Sequence, residues 1–119
     1  MLNFNFTRIF QLKGISHPGP FLMKHGFKKT TAFRIAKNEA GTLVPSQLEK
    51  LCIILCCTPN DLMEWKPDSK HEVSENHPIR KLLPKETIDL RDIAHDIPVE
   101  KVNEFALKIE ELKKSLLQE

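Results

Sequence analysis

The chain of 119 residues carries a net charge of +2, with 40% of its residues hydrophobic and 29% charged. That bounds it to one domain, or one small domain with an appendage, around an ordinary packed core. No apolar run approaches the roughly 18 residues that a membrane span requires, and the opening MLNFNFTRIF lacks a basic segment followed by a long apolar one. A soluble, cytoplasmic protein with no membrane partner is expected.

The small total charge hides an asymmetry. Residues 1–66 hold nine lysines and arginines against four acids, a net of +5, whereas the rest holds nine against twelve, a net of −3. The amino-terminal part suits a polyanion; the tail does not.

Phe6, Ile9 and Phe10, with Leu2 ahead of them, carry helical spacing, and Gly14, Pro18, Gly19 and Pro20 end that helix. A short second helix is expected from about Pro20 to His25, closed by Gly26, with Pro18 or Pro20 in its first turn, where no amide donor is needed. The stretch KHGFKKTTAFRIAKN, Lys24 to Asn38, then packs five lysines and arginines into fifteen residues. With Lys29 onward helical, Ala32, Ile35 and Ala36 share a narrow core-facing stripe. Lys29, Thr30, Phe33, Arg34 and Lys37 gather on the opposite side as a cationic, outward face. Such a face is either merely solvated or directed at a polyanion.

NEAGTLVP breaks the chain, and SQLEKLCIILCC opens a fourth helix with Ser46 and Glu49 in capping-box spacing and Leu48, Leu51, Cys52 and Leu55 as its buried stripe. A fifth helix over TPNDLMEW has Thr58 as cap, Pro59 at the first helical position and Asp61 near the positive helix end, and stops at Lys66-Pro67. Cys52, Cys56 and Cys57 sit too close on one helix for good disulfide geometry. Even with His71 or His77 added, no paired C-x-x-C spacing supports a metal. They read as reduced, small core hydrophobes. Residues 67–97 are polar and proline-punctuated, a linker or strap, with a possible short strand at Ile88 and Leu90. From Pro98 to Glu119 an amphipathic helix is expected, with Val102, Phe105, Ile109, Leu112 and Leu116 alternating by three and four. This stripe is either a dimer seam or a face folded back on the chain's own domain.

Phe4 to Trp65 resembles the Cro and lambda-repressor type (XRE-like) of helix-turn-helix domain, and its ending is similar to a bacterial subgroup reading LCxxLxCTPxDLxEW. In that family a segment G-(I/V)-S-x-x-T-(I/V)-S-R-I marks the turn and the recognition helix. Here it stands as GFKKTTAFRI, with Gly26, Thr31, Arg34 and Ile35 in agreement. Lys28 replaces a capping serine, Ala32 a branched buried residue and His25 an apolar one, so Phe27 or Leu22 must fill the space that Ala32 leaves. The resemblance implies an all-α, five-helix domain over residues 1–66, followed by the linker and the carboxy-terminal helix.

It further implies that Lys29, Thr30, Phe33 and Arg34 read base edges. Arg34 is the best match to guanine O6 and N7, while Phe33 either presses on a thymine methyl or tucks against helix two. His17, Lys24, Lys28 and Lys37 are expected on phosphates, positioning the domain without reading sequence. The expected function is a sequence-specific, dimeric transcriptional regulator that binds double-stranded DNA, with no enzyme activity, cofactor or metal. The rival is an antitoxin-like subunit that also autoregulates and binds a protein partner through its acidic carboxy-terminal part. A thiol-based redox activity at Cys56 and Cys57 lacks a basic activator nearby in sequence.

Overall fold

The computed structural model describes residues 1–118, side chains of Leu90 and Arg91 excepted. Two compact units divide it, Met1–Asp89 and Leu90 onward.

The first unit opens with three short helices, α1 (Phe6–Leu12), α2 (Pro18–Lys24) and α3 (Lys29–Ala36). One device ends all three. At the end of α1, Gly14 N–H donates to Gln11 O at 3.1 Å and Ile15 N–H to Phe10 O at 2.9 Å. At the end of α2, Gly26 donates to Met23 O and Phe27 to Leu22 O, both at 3.0 Å. After α3, Asn38 donates to Ile35 O at 3.0 Å and Glu39 to Arg34 O at 2.8 Å. Each pair closes a Schellman motif, whose pivot needs a left-handed backbone. Gly14 (φ 67°), Gly26 (φ 94°) and Asn38 (φ 59°) supply it. Asn38 also receives the Phe6 N–H on its Oδ1 at 2.7 Å, which ties the end of α3 to the start of α1.

Helix two starts earlier than its spacing suggests, because Pro18 rather than Pro20 takes the first helical position. Leu2 does not extend α1. Leu2–Phe4 forms strand β1, paired antiparallel with β2 (Met63–Trp65), Leu2 opposite Trp65 and Phe4 opposite Met63. The fifth helix is correspondingly shorter: α5 covers Pro59–Leu62, and Met63 leaves it in extended conformation (ψ 150°). Sheet pairing with the distant amino terminus thus takes over MEW, which local helical spacing assigned to α5. Asn5 bridges the two segments, donating from its backbone to Leu62 O at 2.7 Å and from Nδ2 to Glu64 Oε2 at 2.9 Å.

Helix α4 runs Pro45–Leu55. It begins before the Ser46–Glu49 box can cap it: Val44 is the N-cap residue, and its N–H donates to Gln47 Oε1 at 3.4 Å. Thr58 does cap α5, with its N–H 2.8 Å and its Oγ1 3.1 Å from Asp61 Oδ2. Phe6, Leu22, Ile35, Leu51, Leu55 and Leu62 are fully buried, at least one from each of the five helices. Each such side chain contributes about 1.5–3 kcal/mol on burial, so the short helices are held by a shared centre rather than by their own hydrogen bonding.

Cys52 and Cys57 are half-buried, but Cys56 is exposed, against the expectation that all three are core residues. The chain turns left-handed at Cys56 (φ 52°) while Cys57 N–H donates to Cys52 O at 3.0 Å, so the α4 closure swings its side chain outward. Burial, with the neighbouring Cys52 thiol second, pushes the Cys57 thiol up to about 12.

The polar segment after Pro67 is packed in part. A 3₁₀ helix, Pro78–Leu82, lies against β2, where the Arg80 guanidinium sits 5.7 Å from the Trp65 ring centre. Arg80 is itself fixed by donating to Ser74 O at 2.7 Å and Val73 O at 2.9 Å. The second unit contains α6 (Leu90–His95) where a strand was a possibility at Ile88 and Leu90, then α7 (Val102–Leu117) after a 3₁₀ turn at Val99–Lys101. Two apolar residues in alternation are too few to specify a strand, and nothing in this unit pairs with one among the described residues.

Candidate nucleic-acid interface

Helices α2 and α3 are joined by four residues, His25 to Lys28. The Schellman closure at Gly26 sets this turn, and its two apolar ends, Leu22 and Phe27, are both buried. Gly26 is needed for its left-handed φ; a Cβ there would lie 2.6 Å from Lys50 Nζ, the flexible end of a lysine that can move aside. The turn fixes how α3 leaves the domain.

Ala32 and Ile35 are fully buried and Ala36 half-buried, while Lys29, Thr30, Phe33, Arg34 and Lys37 are exposed. Those five line one open groove together with Glu39. The two sides of α3 therefore divide as its spacing predicts. Phe33 is the exception in character: it is 37% exposed, yet a Cβ added to the buried Gly19 of α2 would lie 2.8 Å from its Cε1. Its ring rests on α2 and leaves an edge for solvent.

Lys28 caps the start of α3 without a side-chain bond and lines a second groove with Gly26, Phe27, Thr31, Ser46, Gln47 and Lys50. His17 and Lys24 are exposed but lie at opposite ends of α2, so they do not form one cluster. His25 is exposed, its ring 4.6 Å from that of Phe21. Two residues of the surroundings escaped sequence reasoning. Lys50 stands 5.0 Å over the Phe27 ring, adding a cation beside the turn; the α4 pattern alone contains no hint of it, because only the fold brings α4 to Gly26. Glu39 brings a carboxylate to the edge of the α3 groove.

Two adjacent helices, a four-residue glycine turn and a second helix with an apolar back and a cationic front make the geometry of a helix-turn-helix. Comparison with family models matches residues 22–68 to the Cro/C1-type HTH DNA-binding domain. Over that stretch the chain is similar to a Cro/C1-type helix-turn-helix domain. Comparison with curated proteins and with solved structures found no match. The Cro/C1-type match begins inside α2 and runs through α3, α4, α5 and β2 to Asp68, so it contains the turn and the whole cationic face. A domain of this type belongs to DNA-binding regulators of transcription. No helix among the described residues is long and apolar enough to cross a membrane.

Proposed function

We propose that the chain is a sequence-specific transcriptional regulator that binds double-stranded DNA in the bacterial cytoplasm by laying α3 in the major groove. The observation that carries this reading is the grouping of Lys29, Thr30, Phe33, Arg34 and Lys37 on one exposed groove of α3, its other side committed to the core. Arg34, in the last turn of α3, is the base reader, suited to the paired acceptors of guanine. Lys29 and Thr30 meet base edges at its start, and Phe33 offers its exposed edge to a thymine methyl. Lys28 and Lys37, at the two caps of α3, engage phosphates, as do His17 and Lys24 from α2. No step of this function needs catalysis or a cofactor.

One domain covers a half-site, and two half-sites lie about 34 Å apart on one face of the duplex. On this reading two copies occupy the two half-sites of one operator, and the stripe of Val102, Phe105, Ile109, Leu112 and Leu116 is available either as their seam or to another protein. A second reading is an antitoxin-like subunit, whose carboxy-terminal unit grips another protein while the helix-turn-helix domain autoregulates. The lysines beside that apolar stripe favour it.

Selection of bound sequences from a random DNA pool tests the reading. A recovered motif rich in G at positions that Arg34 reaches, repeated with two-fold symmetry, is the expected result. Recovery of no motif, with binding equal across sequences, would sink the claim of sequence reading.

A further inference from the structure

Helix α7 has no buried residue over its length from Val102 to Leu117. Val102, Ile109, Leu112 and Leu116 are between 43% and 75% exposed. Only Phe105 is half-covered, at a groove it lines with Ile97, Pro98 and Lys101. A lone helix of this length is marginal in water and draws its stability from a covered apolar face. The stripe repeats by three and four, 102-105-109-112-116, the spacing of a two-helix seam. Something of helical shape is missing from it.

The charges beside the stripe say what. In a seam of this spacing, the positions flanking it meet the corresponding positions of the neighbour and select the partner. On one flank stand Lys101 and Lys108, then Ser115; on the other Ala106 and Lys113. No flanking position carries an acid. Glu104, Glu110 and Glu111 all lie further round the helix, and Glu104 Oε1 reaches back to Lys108 Nζ at 3.3 Å. Against a second copy laid parallel, Lys108 meets Lys113 and Lys101 meets Ala106. Laid antiparallel, each flank meets itself. Neither arrangement forms one opposite-charge pair across the seam, and both bring lysines together.

We infer that α7 is a docking helix for a different protein, and that its partner is an amphipathic helix with acidic residues along both edges of its apolar face. This deepens the second reading above by naming the partner's chemistry, and it is independent of DNA binding. An anionic lipid surface fits less well. Membrane-lying helices carry their lysines over a broadly cationic polar face, whereas the outer side of α7 holds three glutamates, Glu104, Glu110 and Glu111.

The test uses the full chain and two synthetic helical peptides with leucine at every seam position, one with glutamate and one with lysine at all flanking positions. Fluorescence anisotropy at low salt should show the glutamate-edged peptide binding at least about tenfold more tightly, with the gap narrowing as salt screens the edges. In sedimentation at the same concentration the chain alone should be monomeric. The double variant Lys101→Glu with Lys113→Glu leaves the Glu104–Lys108 pair in place and should reverse the peptide preference. Equal binding of the two peptides, binding of neither, or a preference that the double variant leaves unchanged would overturn the inference. So would self-association of the chain as tight as its peptide binding, which returns α7 to a homodimer seam. Tighter binding to phosphatidylserine vesicles than to the glutamate-edged peptide would overturn it in favour of a membrane. DNA binding, measured alongside, should be unaffected by the double variant, so a failure of this inference is separable from a failure of the DNA-binding reading.

Discussion

Arg34 is exposed in the last turn of α3, and its carbonyl accepts the Glu39 N–H that closes the helix. The backbone at Arg34 is thus fixed while its guanidinium is free to reach outward. Replacing it with alanine should cost about 1–3 kcal/mol of discrimination at one base pair and leave the melting temperature nearly unchanged, since the buried side of α3 is untouched. Titration of selected and random duplexes, beside a thermal melt, checks both halves; a variant that melts much earlier makes Arg34 a structural residue. Gly19 is the less obvious determinant. Gly19→Ala puts a methyl 2.8 Å from Phe33 Cε1, so the ring must swing off α2 into the α3 groove. A drop in stability of about 1–3 kcal/mol is expected from the overpacking, and sequence preference should change even though Gly19 itself touches no base; calorimetry and duplex selection read the two effects. Cys56 offers the opposite sign. It holds the left-handed pivot at the end of α4, where Gly14 and Gly26 serve α1 and α2. Cys56→Gly should stabilise by about 1 kcal/mol, measured by urea unfolding. No gain would mean that the Cys56 side chain makes a compensating contact.

At the scale of the elements, the least self-sufficient is α5, four residues long and dependent on its cap. The Thr58 backbone N–H, donating to Asp61, holds that carboxyl below its ordinary value near 3.8. A carboxylate depressed in the folded state stabilises above its unfolded pKa, and that stability is lost as pH falls through the folded one. Between about pH 5 and pH 3 the urea midpoint should therefore fall more in the natural chain than in Asp61→Asn, which lacks the titrating group; parallel curves would assign the acid sensitivity elsewhere. The Thr58-Pro59-Asp61 cap was legible in sequence because its chemistry lies within four residues. The start of α4 was not. Ser46 and Glu49 have box spacing, but Pro45 fits the first helical position and pushes the cap back to Val44.

For the whole molecule, the compact unit reaches Asp89, and Arg80 covers Trp65 from beyond Pro67. A fragment of residues 1–89 should melt cooperatively by itself. One ending at Lys66 loses the Arg80–Trp65 contact, about 0.5–1 kcal/mol, together with the rest of the packed 3₁₀ helix. It should melt several degrees lower, since about 1 kcal/mol shifts a domain of this size by roughly 4–8 °C. Equal melting points would make the segment a bystander. Helical spacing and two glycines determine that α1, α2 and α3 exist and which side of α3 is cationic, and one local cap sets the start of α5, because those features act within a turn or two of the chain. The tertiary structure alone decides that MEW becomes a strand, since its partner Leu2–Phe4 lies some sixty residues away. It likewise decides that Phe33 rests on Gly19 and Lys50 stands over Phe27. Those contacts join different helices, and a pattern written along one helix carries no information about which other helix it will meet.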